Sequence, residues 1–475
     1  MNGVVGSTVV EWWRPAATAA SGRAATAAPA PDSPAPFAAL LAFIVILLLA
    51  PAAVVPGLGR VPIALFIGVI AIGTHCWTRV AAGRPLARGT RETRLVGAVF
   101  AWAIVTLPLS LWPAGSMQIL LGDFLKALGV FWLVSNTVST SARLRAVAWV
   151  LSLTAVPLAA SGVSHFFSHT MVAGRIAGYS SFLALIDAPL AADANTLALV
   201  LNLILPLTVG LFLLNRRRMV RGVLAGLIAL DVSAIVVTFS RGGFLTLAAT
   251  FVLFLRTFQR QGKLGWAMAA LLLAVAAIPL LPSGYLDRLS TIGNIEGDTT
   301  GSAQVRSDLT RIGLEYTLSH PLLGAGLGMN VIAACALREG GPRGENCGRF
   351  CYRIPPLFPP CLYVHNVYLE YGMDLGWIGL GLYLLLIVSC IGTAARVRER
   401  CAGLPGLGEL PPLAEGIRIA IVAFAVAALF YPWAYSVYFY FAAALAVAAG
   451  AVYDAEAHAA AGMLVSAQVA TGRKG

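Results

Sequence analysis

Apolar residues run along the chain in long blocks, broken by short polar intervals rich in arginine. A block of ~20 apolar residues is the length a helix needs to cross a bilayer. Twelve blocks approach that length: 37–55, 58–78, 95–112, 117–137, 145–163, 195–214, 222–240, 243–258, 264–281, 364–394, 413–431 and 434–453. The period-two alternation of a membrane β-barrel is missing. The pattern predicts an all-α polytopic membrane protein. Its parts are a flexible tail at 1–36, nine spans within 37–281, a long loop at 282–363, three spans within 364–453 and a tail at 454–475.

Composition makes lipid the main solvent. The chain is 59% hydrophobic and 11% charged, with mean hydropathy +0.81, whereas a soluble domain carries about 25% charged residues. The net charge of +12 is not a nucleic-acid footprint. The cations sit between apolar blocks, where they act as topology signals. They concentrate at 79–94 (Arg79, Arg84, Arg88, Arg91, Arg94), 143–145, 216–221, 256–263 and 396–400. An even number of spans with both termini in the cytoplasm puts every one of these intervals inside, as the positive-inside rule requires. No cleavable signal peptide is apparent, and the Ala/Pro/Ser-rich start reads as a tail. Segments 164–194 and 282–363 then project outward. The second holds seven arginines, which is compatible because long loops translocate largely regardless of charge.

Four of the seven cysteines, Cys335, Cys347, Cys351 and Cys361, lie in the long loop. Clustered cysteines in an oxidising compartment point to disulfides, with three possible pairings. Their spacings of 12, 4 and 10 contain no CxxC pair, which disfavours the rival reading, a zinc site. Cys76, Cys390 and Cys401 are expected to stay reduced.

Ionisable residues at membrane depth are functional candidates by default. Asp123 and Lys126, three apart, read first as a self-paired ion couple. Arg418 reads as a cation that snorkels to the cytoplasmic surface. Arg241 lies in VVTFSRGGFLTL, where Gly242 and Gly243 let the chain turn at the outer face. A lipid phosphate contact competes there with plain interfacial anchoring. In the long loop, Ser307–Leu318 reads as an amphipathic helix with Leu309, Ile312, Leu314 and Tyr316 on its apolar side. Arg306 and Arg311 stand along it, and Pro321 with Gly324, Gly326 and Gly328 follow. These glycines are not GxGxxG after a strand, so a dinucleotide fold is excluded. In YVHNVYLEYGMDLGW, His365 and Asn366 stand at the outer end of the tenth span, with Glu370 and Asp374 below. Position alone allows His365 to be a helix-end contact.

Taken together, the outward SRGG, an arginine fourteen residues before HPLLGAG, and HNxYL followed by an acid and glycine resemble the O-antigen ligase and polymerase superfamily. The resemblance runs from about Leu109 to Leu386. It includes, more loosely, LSLWPAGSMQILLGDFLKALGVFWLV, RIAGYSS and DANTLALVLNLILPL. It implies an integral membrane glycosyltransferase of the C-type architecture that uses undecaprenyl-diphosphate-linked glycans. It also implies a Gram-negative inner-membrane location and a periplasmic active site.

Carried over residue by residue, the resemblance makes His365 the catalytic histidine, a general base, with Asn366, Asp374, Gly376 and Gly379 supporting it. Arg241, Arg306 and Arg175 become ligands of the donor diphosphate. Arg311 ranks below them, because many relatives carry Trp there. Asn195 takes the place of a family Asn. The Cys-rich stretch 335–361 departs from the common pattern and bears on the acceptor. No outward DxD pair is present, so transfer is expected to be metal-independent, with inversion at the anomeric carbon.

The expected partners are the lipid-linked glycan donor, lipid A-core as acceptor and membrane lipid, with no nucleic acid. Ligation onto lipid A-core is favoured by the single dominant outward loop. Polymerisation is the alternative, followed by protein O-oligosaccharyl transfer. A lipid or sugar transporter is the reading from another class. It is disfavoured because the polar residues gather at one face rather than at the midplane.

Overall fold

Among the described residues, ten helices are long and apolar enough to cross a membrane. The computed structural model describes residues 33–51, 62–172, 175–176, 191, 193–276, 285, 302–338, 363–401 and 407–472. The first helices are α1 (Pro34–Leu49), α2 (Ile63–Ala81), α3 (Arg91–Thr106), α4 (Pro113–Ile119), α5 (Leu125–Thr137) and α6 (Ser141–Phe167). A two-residue hairpin follows, β1 (Met171–Val172) against β2 (Arg175–Ile176). Then come α7 (Ala194–Leu214), α8 (Arg218–Val237), α9 (Arg241–Arg260), α10 (Leu264–Ala276), α11 (Ser302–Ser319) and α12 (Asn330–Arg338). The last are α13 (Val367–Arg400), α14 (Leu410–Ala427) and α15 (Val437–Gly472). The chain is thus an all-α polytopic membrane protein. All twelve apolar blocks contain helix, but α1 and α10 are shorter than a span. The expected tail at 1–36 falls almost entirely outside the described residues, and α15 runs on through most of the segment read as a tail.

α7 is apolar on every side, which suits a helix enclosed by others. It packs with α6, α8, α9 and α14. α2 is at the rim, with Leu65, Phe66, Val69 and Trp77 facing outward.

The two ends of the bundle differ in chemistry. At one end, Arg88 donates to Ser135 O (2.7 Å) and Val138 O (3.2 Å). Glu92 accepts from Ser389 and Thr393, both at 2.7 Å. Arg418 holds Glu415 with two bonds, joined by Arg398 at 3.0 Å. This is the end where the arginine intervals lie.

The other end is built around a break in α13. Gly376 has φ 65 and ψ −169, so the helix is interrupted there. The carbonyls this releases find partners: Ala325 N donates to Met373 O (2.6 Å), Gly326 N to Asp374 O (2.9 Å) and Trp102 Nε1 to Leu375 O (2.9 Å). The loop 320–330 fills the break. Irregular backbone at membrane depth is tolerated where protein buries it. A Cβ on Gly376 would stand 2.4 Å from Leu322 O.

The couple expected between Asp123 and Lys126 does not form. Both side chains are exposed and no ion pair joins them among the described residues. Leu120–Phe124 is a π-helical turn, and its wider winding upsets the three-residue spacing that would face them together.

Replacing Gly376 with Ala adds a clash to a backbone conformation, φ 65 and ψ −169, that is open essentially to glycine alone and costs other residues about 1–3 kcal/mol. We expect Gly376→Ala to lower the thermal midpoint of the detergent-solubilised protein, while Gly381→Ala, where a Cβ meets nothing, leaves it unchanged.

Candidate functional site

Asp374 is fully buried beside the break. A carboxylate held in a low dielectric must be satisfied by hydrogen bonds. Its oxygens accept from Asn330 N (2.6 Å), Gly328 N (3.0 Å), Asn330 Nδ2 (3.1 Å) and Tyr435 Oη (3.0 Å). One side chain therefore ties α13 to the loop 320–330, to the start of α12 and to the turn before α15. Its partners are two backbone N–H groups, a side-chain amide and a phenol.

Asn330 passes this order on. Its Oδ1 accepts from Val364 N at 3.3 Å, the residue before His365. On the other side of His365, Val367 N donates to Ala428 O at 2.8 Å. The histidine sits on a segment clamped at both ends. Its Nδ1 lies 2.8 Å from Tyr363 O. A carbonyl only accepts, so Nδ1 carries the hydrogen and Nε2 is the basic nitrogen. The ring is partly exposed.

Asn366 is the N-cap of α13, its Oδ1 accepting from Tyr368 N (3.0 Å) and Leu369 N (3.2 Å). Its support for His365 is thus structural. Glu370 is buried and accepts from Ala434 N at 2.9 Å, which fixes the α14–α15 link.

Arg241 opens α9. Ser240 caps that helix by accepting from Gly243 N (3.2 Å) and donates to Asn195 Oδ1 at 2.9 Å. Tyr431 Oη is 3.3 Å from the same hydroxyl. Asn195 and the SRGG turn, each singled out separately by the resemblance, therefore meet. Gly243 has no room for a side chain, since a Cβ would stand 2.7 Å from Ala198 Cβ. The first N–H groups of a helix point outward at its positive end, so this terminus with an arginine suits an anion.

Arg306 is partly exposed on α11 and Arg311 is fully exposed one and a half turns on. Arg175 lies on β2 opposite Val172. Described contacts join Arg241's turn to Asn195 and Tyr431. They do not join Arg241, Arg306 and Arg175 to one another.

Cys335 is disulfide-bonded, and Cys76, Cys390 and Cys401 are free thiols. Cys347, Cys351 and Cys361 lie outside the described residues. Among the described residues no cluster of three His, Cys, Asp or Glu could hold a metal ion.

A crevice lined almost wholly by apolar side chains starts at this same end, by Val437 and Tyr438. It runs along α7 past Leu203 and Leu207 to Ile417. Asn330 and Tyr435 were not anticipated, because each is recognised only through Asp374. Asp231 was also missed. It is buried in α8 with Oδ2 unpartnered among the described residues, and it is joined to no part of this site.

The fold and site define a multi-pass α-helical membrane protein with a polar centre at one end of its bundle. Residues 226–384 match the family model described as O-antigen ligase. The matched region holds Arg241, Arg306, Arg311, His365 and Asp374; Arg175 precedes it. No curated protein sequence matches the chain. In three dimensions it is similar to a chain of a solved structure described as "Structural coordination of polymerization and crosslinking by a peptidoglycan synthase complex". Identity is 18%, TM-score 0.42, and the match covers 77% of this chain and 96% of that one.

Removing the Asp374 carboxylate leaves buried donors at Gly328, Asn330 and Tyr435, each costing about 1–3 kcal/mol. We expect Asp374→Ala to unfold or fail to accumulate, while Asn366→Ala, which loses only a cap worth about 1 kcal/mol, accumulates with a modestly lower thermal midpoint.

Proposed function

We propose that this protein is an O-antigen ligase, which transfers a polysaccharide from undecaprenyl diphosphate to a sugar hydroxyl of lipid A-core. The observation that carries the reading is His365, clamped on both sides and with Nδ1 committed to Tyr363 O. Nε2 is then the nitrogen that takes a proton from an acceptor hydroxyl. The hydroxyl oxygen bonds to the anomeric carbon as the bond from that carbon to the diphosphate oxygen breaks. The electron pair leaves with undecaprenyl diphosphate, and the configuration inverts.

Charge developing on the leaving diphosphate needs fixed cations. We assign that role to Arg241 with the α9 N-terminus, joined by Arg306 and Arg175, and secondarily Arg311. Guanidinium groups bind phosphate oxygens bidentately and stay charged, so the reaction needs no metal in this reading. The apolar crevice beneath Tyr438 suits an isoprenoid chain. The arginine-rich end supports a cytoplasmic placement. In this reading the site lies on the periplasmic face of a Gram-negative inner membrane, in an architecture of the C-type glycosyltransferases.

Reconstitution with undecaprenyl-diphosphate-linked glycan and rough lipopolysaccharide tests this. Product on lipid A-core is expected. Growth of the glycan on undecaprenyl alone would instead mean a polymerase, and glycan on Ser or Thr of a protein an oligosaccharyltransferase. His365→Ala should abolish transfer with the thermal midpoint and donor binding kept; full activity would refute the base. Arg241→Ala and Arg306→Ala should lower kcat/KM for the lipid donor. Chelator should leave the pure enzyme active.

A further inference from the structure

The helix α11 has two apolar faces, and among the described residues only one is covered. Leu309, Ile312 and Tyr316 are buried with Met329, Val364 and Met373. Leu314, first read as part of that face, is instead 51% exposed. Leu318 is 59% and Leu322 65% exposed. These three leucines recur every four residues, and Arg311 precedes Leu314 by three. On a helix such spacing makes one stripe, which the chain extends through the turn to Leu322.

The neighbours of this stripe fix its level in the membrane. Trp377 N donates to Pro321 O at 2.7 Å, so Leu322 adjoins Trp377. From Trp377 to Ala395 the spanning helix α13 carries no charge, and Arg396 ends the run. At 1.5 Å per residue that run is about 28 Å long, close to the thickness of the hydrocarbon core. Trp377 and Ile378 are 47% and 41% exposed, and Leu385 and Val388 below them 50% and 66%. This is the lipid-facing side of α13. Trp377 stands at its edge, where tryptophan belts form. The leucine stripe therefore continues a lipid-facing surface at the level of the headgroup boundary.

We propose that α11 and the turn after it are seated in the bilayer interface on the site side. Leu314, Leu318 and Leu322 lie among the acyl chains, and Arg311 is at the level of the lipid phosphates. The occupant of the stripe is the leaflet itself. Two features argue for this: continuity with the lipid face of α13, and an arginine one turn to the aqueous side of the leucines, the order of charge and apolar surface in an interfacial helix. Part of the long loop is then a membrane element. It docks the loop 320–330, and through Asn330 the His365 segment, against lipid.

The full chain in nanodiscs of phosphatidylcholine, doped with a phosphatidylcholine carrying a diazirine on its acyl chain, tests this. After irradiation and reduction of disulfides, trypsin releases residues 312–338 and 354–396 as separate peptides. Adducts on Leu314, Leu318 and Leu322, at a yield comparable to those on Trp377 and Ile378, are expected. Adducts on 354–396 with none on 312–338 would overturn the proposal.

Discussion

The site end of this protein depends on one buried carboxylate. Asp374 has no cation among its hydrogen-bond partners, and its charge is met by two backbone N–H groups, one amide and one phenol. These come from parts of the chain far apart in sequence, so the carboxylate is a junction. The break at Gly376 makes the junction possible. It frees carbonyls that the loop 320–330 and Trp102 then occupy. Neither half is stable without the other. A broken helix in a membrane needs donors for its carbonyls, and a glycine-rich loop needs a fixed surface to lose its entropy against.

From that junction the geometry reaches His365 by one further residue. Asn330 uses its amide nitrogen on Asp374 and its oxygen on Val364 N. The histidine is thus aligned by buried contacts although its ring is partly exposed. This separates rigidity from accessibility, as the proposed role of base would require. The opposite end of the bundle is held differently, by ion pairs and by arginines on carbonyls. Its job is to anchor helix ends on the side where cations belong.

Much of this was legible in the chain. The twelve apolar blocks are visible because lipid forces long uncharged runs, and His365 stands out because histidine is rare at a span mouth. Asp374 was visible as an acid in need of a partner, but the partner was not. Asn330 lies 44 residues away, and no local pattern links them. The amphipathic helix was found, but Leu314 was put on the wrong face, because a short helix with leucines all round has no single apolar side. The Asp123–Lys126 pairing assumed regular α-helical winding, which the π-turn removes. Asp231 passed unnoticed inside an apolar run that a single acid does not interrupt. The arginines are grouped by the resemblance alone, and the described contacts do not join them to one another.

The turn before Arg241 carries two local costs in succession. Phe239 adopts φ 52, a left-handed conformation that costs a bulky residue about 1–2 kcal/mol. Arg241 then places a cation at the positive end of α9, whose first turn contains no acid, an arrangement the helix dipole disfavours. The rings of Phe166 and Tyr285 pack on Phe239 and hold it there. Strain of this kind persists where surrounding structure over-determines it, and it clusters where a ligand offsets it. An anion at this terminus would reverse the second cost, since the dipole and the guanidinium would then act together on it. The turn would make an isolated helix less stable, yet it suits the proposed role of holding a diphosphate at the edge of a membrane.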